Sequence, residues 1–125
     1  LIYLLQHHNY TAHQLNELLN HQSGLKGISG LSGDMQELRQ LAMAGNADAN
    51  LAIAVFQQQL LKAIGAGFAL LGGLDVLALT GGIGEHDQVL RQWLTERLQL
   101  LGTAQIAIIS ANEELEIYQQ ITALR

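Results

Sequence analysis

Apolar residues along this chain recur mostly at helical spacing, with two short runs of strand type between them. Leu1 to His8 reads as the tail of an apolar helix or strand. Thr11 and Gln14 stand at capping-box spacing, and Leu15, Leu18 and Leu19 follow on one face, which predicts a short helix from Thr11 to Asn20. Ser23 to Gly33 contains four glycines and three serines and reads as a loop, with a short extended piece near Gly27 to Ser29. Asp34 and Glu37 repeat the capping spacing, with Ser32 as a competing cap. Met35, Leu38, Leu41 and Ala42 then keep helical period until Gly45-Asn46.

A long helix is predicted from Asp48 to about Leu71. Ala49, Ile53, Phe56, Leu60, Ile64 and Phe68 form its main stripe, and Leu51, Val55 and Leu61 broaden it. A helix of that pattern is expected to be buried on more than one side. Gly72-Gly73 stops it. A strand from Val76 to Thr80, a glycine loop, a helix from Gln88 to Leu100, a strand from Ile106 to Ser110 and a final helix from Asn112 complete the chain. Helices and strands alternating at this pace predict an α/β fold with a largely parallel sheet.

Composition narrows the classes. The chain has 125 residues, 49% of them hydrophobic, enough for a single globular domain over 1–125. Its net charge is −5 with only six Lys and Arg, so nothing forms a basic stripe for a nucleic-acid backbone. There is no cysteine, which removes disulfides and thiolate metal sites and fits a reducing, cytoplasmic setting. No unbroken apolar run reaches the roughly 18 residues of a membrane span, so no membrane is expected. Leu1 to Leu5 lacks the basic flank and cleavage site of a signal peptide. A start at Leu inside an apolar run reads as a cut end of a longer polypeptide.

The chemistry concentrates at Val76 to His86. A buried-type strand runs into Gly81, Gly82 and Gly84 and then into an amphipathic segment. Glycine lets the backbone turn sharply and lets a ligand approach without a Cβ in the way. A helix start adds unpaired N–H groups and partial positive charge. This predicts a nucleotide or phosphate loop, against the alternative of a glycine-rich turn with no ligand. It is not a Walker A loop, because no lysine follows. Nor is it a dinucleotide fingerprint, because Asp87 stands where a third glycine is needed.

Three separated motifs together resemble the acetate kinase family. These are Ser23-Gly24-Leu25-Lys26-Gly27-Ile28-Ser29-Gly30-Leu31-Ser32-Gly33-Asp34-Met35, the run from Leu71 to Glu85, and Asn112-Glu113-Glu114-Leu115-Glu116-Ile117. The resemblance covers nearly the whole chain. It implies the C-terminal domain of the actin-like ATPase and sugar kinase (ribonuclease H-like) superfamily fold, with helices packed on a short, largely parallel sheet. It further implies phosphoryl transfer between ATP and acetate or propionate, giving an acyl phosphate and ADP, with Mg²⁺. The implied partners are the nucleotide, a short carboxylate held by a second domain, and a second copy in a homodimer.

Residue roles carry over from the same resemblance. Gly81, Gly82, Ile83, Gly84, Glu85 and His86 match the nucleotide loop. Asp34 matches an aspartate that holds the nucleotide, while its residue type alone suits a helix N-cap. Glu113 matches a carboxylate near Mg²⁺, while alone it is an ordinary first-turn glutamate. Arg91 matches a common arginine and reads as structural, and Trp93 reads as core packing against the preceding strand. Two positions depart from the family. Gln36 replaces an arginine and cannot offer a guanidinium fork. His86 replaces an asparagine and cannot reproduce both sides of an amide. The family's catalytic residues match nothing in this chain, and His7, His8, His13 and His21 read as surface residues rather than replacements. A non-catalytic binding module derived from such a kinase is the alternative reading.

Overall fold

The computed structural model describes residues 2–7, 10–102, 105–112 and 121–122. They fall into two compact units, Leu1–Gly65 and Ala66–Arg125.

The first unit is helical. α1 spans Ile2–His7, and α2 spans Ala12–His21 behind a complete capping box, in which Thr11 and Gln14 satisfy each other's backbone N–H groups. α3 spans Gly24–Ser29. This corrects the expectation of a loop with an extended piece. The glycines act as helix boundaries rather than breakers: Gly30 takes the left-handed conformation at φ 66° and closes the helix through its N–H to the Lys26 carbonyl, 2.8 Å away. Gly27 lies inside α3, and glycine suits it because a Cβ there would stand 2.9 Å from the Gln22 carbonyl oxygen.

α4 spans Met35–Met43, with Asp34 as its N-cap. α5 spans Ala47–Leu71, opened by the Asn46 side chain accepting the Ala49 N–H at 2.9 Å. Its last residues, from Ala66 on, belong to the second unit. Leu15, Met35, Leu38, Ala49, Ala52, Ile53 and Ile64 are buried in the first unit.

The expected two-sided burial of α5 is not what this chain presents. Only Ala49, Ala52, Ile53 and Ile64 are buried on it, while Leu51, Leu70 and Leu71 are exposed. By length and composition alone α5 is also long and apolar enough to cross a membrane. Gln57, Gln58, Gln59 and Lys62 stand at its middle, where polar groups are costly in hydrocarbon.

In the second unit, β1 (Val76–Leu79) pairs in parallel with β2 (Gln105–Ile108), Leu77 opposite Ile106 and Leu79 opposite Ile108. Both strands are shorter than expected, because Thr80 serves as a helix N-cap and Ile109 lies just beyond the pairing. The crossover holds α6 (Gly81–His86), α7 (Gln88–Leu98) and a 3₁₀ turn, Gln99–Leu101. The helix expected to reach Leu100 therefore tightens over its last turn. Leu90, Leu94 and Leu98 recur every fourth residue on α7 and are all buried. Trp93 is half-buried with the Arg97 guanidinium 5.8 Å from its ring centre, rather than a core residue. The helix expected from Asn112 lies almost wholly outside the described residues.

The parallel pairing bears out the α/β expectation. Leu94 is 0% exposed, and Leu94→Ala is expected to cost about 2–5 kcal/mol in urea unfolding. Met43 is 90% exposed, and Met43→Ala is expected to stay within about 0.5 kcal/mol.

Candidate functional site

The glycine loop forms at the corner where β1 ends. Gly81 has φ +73°, a conformation side chains rarely adopt, and this turns the chain from strand into α6. Gly84 is buried against β1. A Cβ on it would lie 3.3 Å from both the Leu79 carbonyl carbon and the Leu79 Cβ. Gly82 has neither constraint: its φ is ordinary and a Cβ there would project into open space.

Two side chains hold the corner. Glu85 Oε1 accepts the N–H groups of both Gly81 and Ala111, each at 2.9 Å. Arg91 Nη1 donates to the carbonyl oxygens of Glu85 at 2.6 Å and Gly84 at 3.4 Å, tying α7 to the end of α6. Asp87 caps α7 by accepting the Leu90 N–H at 2.9 Å. Aspartate suits that cap, so the residue that breaks the dinucleotide fingerprint starts the next helix. Ile83 is half-buried, and His86 is exposed at the end of α6.

The Glu85 carboxyl is held below the ordinary glutamate range. The Ala111 N–H contributes most; partial desolvation opposes it, and the Gly81 N–H, the Ser110 hydroxyl and the nearby His86 lower it further.

In the first unit, Asp34 Oδ1 accepts the Glu37 N–H at 2.9 Å, and the Asp34 N–H donates to Ser32 Oγ at 3.0 Å. Ser32 Oγ in turn donates to Glu37 Oε2 at 2.6 Å. The competition between Ser32 and Asp34 thus resolves into a shared cap. The buried Ser29 hydroxyl organises the preceding turn, accepting the N–H groups of Leu31 and Ser32 at 3.1 and 3.3 Å. Asp34 and Gln36 are both exposed at the start of α4.

The structure therefore gathers Gly81 to His86 around one corner and places Asp34 and Gln36 on one helix start. Glu113 lies outside the described residues. Among the described residues no group of three His, Asp or Glu side chains is set to hold a metal ion. His7, His13 and His21 are exposed, and His8 is outside the described residues. Sequence reasoning did not anticipate Ser110 and Ala111 as partners of Glu85, because nothing local marks a main-chain amide 26 residues away.

A model of the acetokinase family matches residues 1–118. The chain is 47% identical over 102 residues to an acetate kinase of Nostoc punctiforme, an alignment covering 82% of this chain and 25% of that protein. It is 37% identical to the propionate kinase PduW of Salmonella typhimurium, over 97% of this chain and 35% of that protein. Among solved structures, the Porphyromonas gingivalis acetate kinase matches 99% of this chain and 37% of its own, with TM-score 0.83 and 26% identity. A propionate kinase from Francisella tularensis matches 91% and 34%, with TM-score 0.78 and 32% identity. The chain spans about a quarter to a third of the length of these curated relatives.

The state of Glu85 generates a pH prediction. A carboxyl held lower in the folded chain than in the unfolded one stabilises above the ordinary value of 4.5, and that contribution is lost as pH falls through the lowered folded value. The Gly81 and Ala111 amide resonances are expected to titrate together with a midpoint below 4.5, and to stop doing so in Glu85→Gln. A shared midpoint at or above 4.5 contradicts the assignment.

Proposed function

The chain belongs to the acetokinase family, and on that premise we propose that it supplies the nucleotide side of a kinase acting on a short carboxylate. The reaction moves the terminal phosphoryl group of ATP to a carboxylate oxygen, giving an acyl phosphate and ADP. Acetate and propionate are the acceptors suggested by the relatives' names. Little covalent chemistry falls to the protein in such a transfer. It must hold donor and acceptor in line and offset charge at the moving phosphoryl group.

The observation that carries the nucleotide reading is Gly82. Gly81 is glycine for its backbone conformation, and Gly84 for its approach to Leu79. Folding of this unit supplies no such reason at Gly82, and a glycine inside a helix costs about 1 kcal/mol relative to alanine. Close approach of a ligand to bare backbone accounts for that cost. The Glu85 carboxylate beside Gly81 repels an anion, so the uncharged part of the nucleotide, ribose and base, suits this corner better than the phosphates.

Ile83, Gly84, Glu85 and His86 complete the loop, with the exposed His86 able to stack on a base. Asp34 has one oxygen in its helix cap and a second for a nucleotide, so both of its proposed roles are compatible. Gln36, at the same helix start, offers an amide and no charge. Glu113 is proposed as the carboxylate near Mg²⁺ from the family motif alone. No residue of this chain is proposed as catalytic; those groups and the carboxylate site belong to the part of the protein that the relatives have in addition.

Exposed apolar surface agrees with a larger assembly. A two-stranded sheet is marginal alone, and Val76 and Ile108 are 53% and 51% exposed. The bare leucines of α5 suit cover by protein, and we assign α5 to a homodimer contact. A cytoplasmic location is part of the same proposal and accords with a nucleotide substrate.

Calorimetric titration with Mg·ADP and Mg·ATP tests the reading, with Gly82→Val as the partner experiment. Saturable binding weakened by about tenfold or more (roughly 1.4 kcal/mol) in Gly82→Val is expected, with the variant still folded because its Cβ meets open space. Equal affinity in the two proteins overturns the role of Gly82.

A further inference from the structure

The parallel ladder ends in an unusual way. The Gln105 N–H donates to the Asp75 carbonyl at 2.9 Å, and the Ile109 N–H donates to the Leu79 carbonyl at 2.8 Å. Donors on this side of the strand occupy alternate positions, so Ala111 is the next that would seek β1. Its partner in a continued ladder would be the Gly81 carbonyl. But β1 has already left the sheet, because Gly81 turns the chain into α6. The Ala111 N–H instead meets Glu85 Oε1, and the same oxygen takes the Gly81 N–H.

One side-chain oxygen therefore joins two main-chain amides that the turn would otherwise leave without a ladder partner. A carboxylate suits this better than an amide. It accepts from both donors with the added strength of a charge-assisted bond and has no N–H of its own to satisfy. The main chain of Glu85 is fixed as well, since its carbonyl accepts from Arg91 at 2.6 Å. Arg91 holds the far end of α6 to α7, and the Glu85 side chain holds the near end to the segment leaving β2.

We propose that Glu85 is a positioning residue of the glycine loop: its carboxylate replaces the missing rung of the β1–β2 ladder and holds Gly81 and Gly82 in place for the nucleotide, without touching the nucleotide itself. This rests on the loop being the nucleotide side, as proposed above. It places Glu85 apart from Gly82 in role. Gly82 leaves room for the ligand, and Glu85 keeps that room in a fixed position relative to Ser110 and Ala111. Preorganisation of this kind raises affinity by removing an ordering cost before the ligand arrives.

The test uses this chain with Glu85→Ala and Glu85→Gln, read by amide hydrogen exchange and by ADP titration. In Glu85→Ala, protection at Gly81 and Ala111 is expected to fall together by about tenfold, while Ile109, held by Leu79, changes little. ADP affinity should fall by a similar factor. Glu85→Gln keeps an acceptor oxygen at the same reach and is expected to recover much of both. A general loss of fold would move Ile109 and the amides of α7 as well, and would not be recovered by glutamine. Unchanged protection at Gly81 and Ala111 in Glu85→Ala overturns the proposal. So does lost protection with unaltered ADP affinity, or an affinity loss that glutamine leaves as large as alanine does. If the unsubstituted chain binds no ADP, the nucleotide reading falls, and the exchange data alone then decide whether Glu85 supplies the rung.

Discussion

The close approach of Gly84 to Leu79 is the contact on which the second unit's corner depends. A Cβ on Gly84 would lie only 3.3 Å from two Leu79 atoms, so the first turn after β1 sits directly on the strand it came from. That proximity is possible only because the chain reverses at Gly81, whose positive φ converts strand to helix within one residue. Everything next to the corner follows from it. Glu85 comes close enough to reach back to the Gly81 N–H, and Arg91 close enough to reach the carbonyls of Gly84 and Glu85. The turn would otherwise leave main-chain groups without a ladder partner beside the sheet.

The first unit solves a similar problem with different residues. Between α3 and α4 the chain turns over a few residues, and the Ser29 hydroxyl, Ser32 and Asp34 take up the amides exposed there. Short hydroxyl and carboxylate side chains suit such turns because they imitate a backbone acceptor at close range. The outcome is a helix start with Asp34 and Gln36 exposed on it, in a chain whose second unit carries the glycine corner. In both units a side chain that satisfies the backbone lies beside the position a ligand is proposed to use. At the glycine corner the two proposed tasks fall to neighbouring residues, Glu85 and Gly82, whereas Asp34 is proposed to combine a helix cap with a ligand contact.

α5 shows how burial depends on more than one chain segment. Its apolar pattern is broad, yet the side chains it buries here are few, two of them alanines: Ala49, Ala52, Ile53 and Ile64. Of the remaining large apolar side chains on the helix, Leu51, Leu70 and Leu71 are exposed. Three glutamines and a lysine at its centre fit cover by protein, which can pair polar groups, better than cover by lipid.

Much of the fold was legible in the sequence, wherever the determinant is local. Thr11 with Gln14, Asp34 with Glu37 and Gly45 set helix ends within a few residues of themselves, and these appear where the pattern placed them. The leucines of α7 and the two apolar strands were equally readable, since period reports directly on one buried face. The family motifs were also legible, because they are strings of neighbouring residues. Tertiary structure decided what depends on distant partners. It made a helix of Gly24–Ser29, where glycines that suggest a loop are held inside the helix or, at Gly30, close it as the C-cap. It separated Gly81, Gly82 and Gly84, alike as letters, into a turn, an open position and a tight contact, because only the folded neighbours differ. And it gave Glu85 the Ala111 amide as a partner, a pairing that arises only once β1 and β2 lie side by side.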